Sequence, residues 1–106
     1  MSLDVTLKLN GDEVYSANIT HNLNVMAKEA GIYKELWRPE EVGATHARQL
    51  IEPLKAGLCK MVSDPVLYES LNSPNGWGTY ENFLPWVVEY LKACMLNPDA
   101  IIEVDR

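Results

Sequence analysis

Outside its carboxylates, the side chains from which a metal site could be built are His21, His46, Cys59 and Cys94. Zinc sites place paired ligands at short spacing, and none of these four is paired. No metal and no cofactor are therefore expected. Both thiols fall at or beside apolar positions of expected helices, which predicts small, inert core residues rather than nucleophiles for a Cys–His pair. Gly76-Trp77-Gly78 precedes a helix but lacks the G-x-x-x-x-G-K-[ST] pattern and the preceding strand of a phosphate loop. No G-x-S-x-G elbow and no H-E-x-x-H pair occurs. The residues favour a binding protein over an enzyme.

Two features stand out for binding. His21 lies just before an expected helix start, where the positive end of the helix favours a neutral imidazole. Such a ring serves as a base or a ligand contact, or it simply bonds locally and positions the chain. Trp77 sits between two glycines in the longest loop, Asn72-Ser73-Pro74-Asn75-Gly76-Trp77-Gly78. Trp77 then either folds back as a plug over one end of the core, the favoured expectation, or serves as a recognition residue. In the second case Trp77, Tyr80 and His21 form the binding surface, since aromatic side chains carry large contact area at low entropic cost. An aromatic loop beside a helix N-terminus suits an anionic or sugar-like ligand.

The elements that position these residues follow from periodicity. Leu3, Val5, Leu7 and Leu9 alternate with polar residues, the pattern of a half-buried strand. Asn10-Gly11-Asp12 is a turn signal. A two-residue turn sets Val5 opposite Ser16, whereas a three-residue loop sets Leu7 opposite Tyr15, Val5 opposite Ala17 and Leu3 opposite Ile19. The second choice gives one apolar face and is adopted, with Thr6 and Ser16 on the other face. Thr20 or Asn22 caps a helix whose face is Leu23, Met26, Ala27 and Ala30, with Gly31 at C′ and Ile32 folding back. Residues 33–37 form a further turn. A second helix starts near Thr45, with Ala47, Leu50, Ile51, Leu54, Leu58, Met61 and Val62 as its stripe and a kink at Pro53. Asp64-Pro65 opens a short helix, Thr79 caps the last one, and Asn97-Pro98 ends it. Residues 100–104 form a final strand. The fold expected is one α+β domain over residues 1–106. In it a small three-stranded antiparallel sheet, the N-terminal hairpin plus the C-terminal strand, packs against about three main helices.

In the last helix Phe83, Leu84, Val87, Val88, Leu91, Cys94 and Met95 form a core face. Trp86, Tyr90 and Ala93 form a second apolar stripe beside it. A helix apolar over more than half its girth is either central in its domain or covered by a partner. The first reading is favoured. The second makes Trp86 and Tyr90 interface residues, of a homodimer or of another protein. A flat apolar patch around Trp86 or Trp37 would support it.

Length and charge narrow the classes further. The 106 residues are 47% hydrophobic and 23% charged, an ordinary globular composition that suits one domain. Nine Lys and Arg oppose fifteen Asp and Glu, for a net charge of −6, and the cations form no run. An acidic domain without a basic stripe does not fit nucleic acid or an anionic membrane. The first residues lack the basic and apolar regions of a signal peptide, so a cytoplasmic setting with reduced cysteines is expected.

Four stretches carry a resemblance: Ile19-Thr20-His21-Asn22-Leu23, Glu29-Ala30-Gly31-Ile32-Tyr33, Leu36-Trp37-Arg38-Pro39-Glu40-Glu41 and Asn75-Gly76-Trp77-Gly78-Thr79-Tyr80-Glu81. They resemble a group of small uncharacterised proteins of bacteriophages and of phage-derived regions in bacterial genomes. The Asn-Gly-Trp-Gly-x-Tyr segment is the most specific part. The resemblance brings no catalytic residue. It implies a phage-related role, with a protein-interaction or adaptor function as the leading expectation and a small-molecule-binding module using the Trp77 loop as the alternative.

Overall fold

Alternation of apolar and polar residues makes the first two strands of this computed structural model, which describes residues 2–106. Strand β1 is Ser2–Leu9 and strand β2 is Asp12–Thr20. Their register is Leu7 opposite Tyr15, Val5 opposite Ala17 and Leu3 opposite Ile19. This is the expected pairing, but a three-residue loop does not produce it. Leu9 pairs with Asp12 and Lys8 with Glu13, which closes a two-residue turn in which Asn10 and Gly11 both have positive φ, 54° and 84°. That is the turn whose twist matches a hairpin. The register then shifts between Leu7 and Lys8, leaving Val14 as an extra residue on β2. The bulge reconciles the tight turn with a single buried face. Leu3, Val5, Leu7 and Ile19 are buried on it, Tyr15 and Ala17 are half-buried, and Ser16 is exposed.

Residues 21–29 form the first helical segment: a 3-10 turn capped by the Thr20 hydroxyl, then helix α1, Asn24–Glu29. Leu23, Met26, Ala27, Ala30 and Ile32 are all buried, as the spacing implies. Helix α2, Tyr33–Trp37, buries Leu36 and Trp37. Trp37 is therefore a core residue and contributes to no surface patch.

The second long segment is 3-10 over Ala47–Leu50 and α-helical only in α3, Ile51–Ser63. Pro53 thus falls in the first α turn, where its missing N–H costs little, rather than in mid-helix where it would kink the chain. Ala47, Leu50, Leu54 and Met61 are buried, but Val62, assigned to the same stripe, is 58% exposed. Gly57 takes a buried place on the helix instead, against Ile32.

Asp64 caps helix α4, Pro65–Ser70, through its side chain, and Thr79 caps helix α5, Tyr80–Leu96, in the same way. Strand β3, Ile101–Asp105, joins β1, so the sheet order is β2-β1-β3 and all pairs are antiparallel. The outer side of β3 is occupied at its start: Ile102 N–H donates to Thr45 C=O at 3.0 Å, and Ala47 N–H donates to Ala100 C=O at 2.9 Å. The chain is a small single-domain α+β fold with the expected sheet. Among the described residues no helix is long and apolar enough to cross a membrane.

Helix α5 is the central helix. Phe83, Val87, Tyr90 and Cys94 are fully buried in the common core. Tyr90 stacks on Tyr15 of β2 with ring centroids 5.8 Å apart. Tyr90 lies inside the chain against β2, so no partner reaches it while the fold is intact. Trp86 is half-buried, stacked on Phe83.

The two cysteines part company. Cys94 is buried as expected, whereas Cys59 is exposed, because it falls on the outer side of α3. Burial pushes the Cys94 thiol up to about 12 from an ordinary 9.0. A raised folded-state value means that stability is present in full below the unfolded value and is lost as pH rises toward the folded one. Alkaline titration followed by circular dichroism should show stability falling above about pH 9, with a shallower fall in Cys94→Ala. An aromatic disulfide reagent at neutral pH should label Cys59 alone in the native protein and both thiols in denaturant. Rapid native labelling of Cys94 would contradict the packing.

Candidate functional site

An open groove of about 860 Å³ lies between the far end of the β1–β2 hairpin and the Trp77 loop. Ser2, Asn18, Thr20, His21, Asn22, Asn75, Trp77 and Asn82 line it, and among the described residues no charged side chain does. Sheet alternation brings Ser2, Asn18 and Thr20 to one face, the polar one. The start of the first helical segment adds His21 and Asn22. The loop before α5 adds Asn75, Gly76, Trp77 and Gly78.

The loop is shaped by its own side chains. Asn75 Oδ1 accepts from Trp77 N–H at 2.9 Å and from the Ser73 hydroxyl at 2.7 Å. Asn72 Oδ1 accepts from Tyr80 N–H at 2.7 Å. Asn22 Nδ2 donates to Trp77 C=O at 2.9 Å and ties the loop to the hairpin end. Gly78, at φ 110°, presses against Thr20, Asn22 and Leu23, where a Cβ would lie 3.2 Å from Asn22 Cβ. The loop backbone is therefore fixed on the fold while the indole projects outward.

Trp77 is 70% exposed. The plug expectation is overturned: the anchoring hydrogen bonds hold the main chain close, and this leaves the side chain in solvent. Tyr80 behaves in the opposite way. It is buried, its hydroxyl donates to Met61 C=O at 2.9 Å, and its ring stacks on Tyr68. Its side chain belongs to the core and does not share the surface with Trp77.

His21 stands at the groove wall, half-buried. The Trp37 indole Nε1–H donates to His21 Nδ1 at 3.2 Å, and His21 Nε2 bonds Ser2 C=O at 2.7 Å. An indole only donates and a carbonyl only accepts. The ring is consequently neutral with its proton on Nε2. Both nitrogens are committed to the chain, which makes His21 a positioning residue that ties Ser2 to Trp37.

The groove contains what sequence reasoning had not assembled, a set of amides with open valences. Asn82 makes no side-chain bond among the described residues; Asn22 and Asn18 keep their Oδ1 atoms free, and Asn75 keeps its Nδ2. The recurrence of Asn beside each of the three segments was the available signal. His46 lies elsewhere, bonded to Thr45 and followed by a 3-10 turn braced by Gln49. Among the described residues no three His, Cys, Asp or Glu side chains are grouped to hold a metal ion. Trp86 and Tyr90 form a separate place on α5, with ring centroids 5.6 Å apart. Neither the Trp86 indole N–H nor the Tyr90 hydroxyl meets a protein acceptor among the described residues.

No protein-family model matches the chain, and no curated protein or solved structure compared with it does either.

Proposed function

We propose that this chain is a binding module without catalytic activity, and that it recognises a partner protein through the Trp77 groove. The observation that carries the reading is Trp77 itself. A tryptophan left mostly in water on a loop held by the side-chain bonds of Asn22, Asn72 and Asn75 is a preorganised contact, the kind of residue that dominates binding hot spots. The neutral amide lining supports binding rather than chemistry, since His21 has no free nitrogen to act as a base. The resemblance to phage proteins, strongest in the Trp77 segment, supports a phage-related adaptor acting in the bacterial cytoplasm.

A test compares wild-type and Trp77→Ala baits for capture from bacterial lysate, read by quantitative mass spectrometry. The variant should melt with the wild type, because exposed substitutions change stability by about 0.5 kcal/mol or less. It should lose a captured partner at least about tenfold, the equivalent of about 1.4 kcal/mol. Equal recovery on both baits overturns the reading. A second reading, small-molecule binding, rests on the same exposed indole beside uncharged amides, which suits a hydroxyl-rich ligand. Titration with neutral mono- and disaccharides, followed by Trp77 fluorescence, separates the two.

A further inference from the structure

We propose that the groove takes an extended segment of the partner protein, which adds to the free edge of β2 as a fourth strand beside Trp77. The inference rests on the protein-interaction reading and specifies the chemistry of the partner.

The two edges of the sheet differ. Among the described residues, the outer edge of β3 is bonded where it begins, at Ala100 and Ile102 by Ala47 and Thr45, whereas β2 pairs with β1 alone. The direction of the β2 main-chain groups follows from these bonds. In antiparallel pairs, alternate residues turn both their N–H and C=O to the same neighbour. Ile102 turns outward to Thr45, so its cross-strand partner Leu7 faces away from β3 and toward β2. Leu7, Val5 and Leu3 therefore bond Tyr15, Ala17 and Ile19. Ser16, Asn18 and Thr20 must then point off the free edge. Among the described residues, no other segment bonds the main chain of Ser16 or Asn18, or the N–H of Thr20. A row of such groups is a template for another strand.

The groove begins where this edge is open, because Asn18, Ile19 and Thr20 are among its lining residues. The free amides of Asn22, Asn75 and Asn82 offer donors and acceptors, the mixture that peptide groups require on both sides. Trp77 stands ready to cover one side chain of the added strand. The hairpin end is guarded: the Val14 bulge and the exposed acids Asp12 and Glu13 discourage pairing there. The paired stretch is therefore short and uncharged along residues 16–20. A basic residue in the partner segment fits next to Asp12 and Glu13.

The probe is a random dodecapeptide library selected on the full chain, followed by synthetic binders measured by calorimetry. Proline at an outward edge position deletes one N–H without breaking the native ladder. Ser16→Pro should weaken binding at least tenfold, while Ser16→Ala stays within twofold. N-methylation of alternate peptide amides should abolish binding, and methylation of the intervening ones should not. This second readout stands even if Ser16→Pro folds poorly. Binders that need Trp77 yet tolerate Ser16→Pro and every N-methylation overturn the strand addition and leave the interaction reading intact. Failure to select any binder sensitive to Trp77→Ala overturns both. Sedimentation showing a dimer that Ser16→Pro splits would assign the edge to a second copy and overturn a partner segment.

Discussion

Trp37→Ala should destabilise the protein by about 3–5 kcal/mol, the range for removing a large aromatic side chain from a core. Trp37 is among the largest fully packed side chains, 2% exposed. Its ring stacks on Tyr33 with centroids 5.5 Å apart. The cavity would be compounded by polar losses. His21 Nδ1 would lose its donor, and a half-buried acceptor without a partner costs about 1–3 kcal/mol by itself. Arg106 reaches the Trp37 carbonyl at 2.7 Å and Glu40 at 3.0 Å, so the end of β3 also depends on the placement of this segment. Trp37→Phe separates the terms, because it keeps most of the volume and deletes the indole bond. It should cost about 1–2 kcal/mol. Urea denaturation followed by circular dichroism measures both. A loss below about 1 kcal/mol for Trp37→Ala would show that the core does not rely on the ring. Because His21 lines the groove, the Ala variant should also weaken ligand capture, even at temperatures where it remains folded.

Gly57→Ala should cost about 3 kcal/mol, the upper end for overpacking, although alanine is the better helix former by about 1 kcal/mol. The residue sits in mid-helix with an ordinary helical backbone, so conformational freedom does not explain the glycine. Close approach does. A Cβ there would lie 2.5 Å from Ile32 Cγ2 and 3.4 Å from Ala30 C=O. Ile32 is β-branched and buried, hence stiff at χ1, and it cannot swing its γ-methyl aside. Removing that methyl should relieve the clash: Gly57→Ala combined with Ile32→Ala should be less destabilising than the sum of the two single changes, a coupling of about 1–3 kcal/mol. Additive losses would show that α3 moves away from residue 32 at no cost.

Much of the fold was legible in the sequence because local rules decided it. Alternation along 3–9 and 15–19 set which side chains face the core, and a buried face tolerates only one register. Asp64 and Thr79 read as caps, and Thr20 as one of two candidates with Asn22, because a short polar side chain before an apolar-periodic run has few better uses. The bulge escaped detection because two turns satisfy the same register, and the backbone twist of Asn10-Gly11 chose between them.

The site was legible only in part. Sequence placed Trp77 on a loop before a helix cap, and placed His21 beside the other helix start. That the two face one groove was decided by the contact of Gly78 with Thr20 and Asn22, which joins segments far apart in the chain. Trp77 and Tyr80 are close in sequence, both aromatic, and take opposite fates. Tyr80 sits in the first turn of α5, whose inner side meets Met61 and Tyr68; Trp77 precedes the cap, where the main chain turns inward and the side chain outward. Tyr90, Cys59 and Val62 teach the same lesson. Periodicity tells which side of a helix is apolar, but burial depends on how far the neighbouring element extends over it. The sequence by itself determined the strands, the caps and the three-stranded sheet, because these rest on local backbone preference and a single apolar face. Only the tertiary structure decided which aromatic side chains reach water and which sheet edge stays open, because both depend on long-range packing that no local pattern encodes.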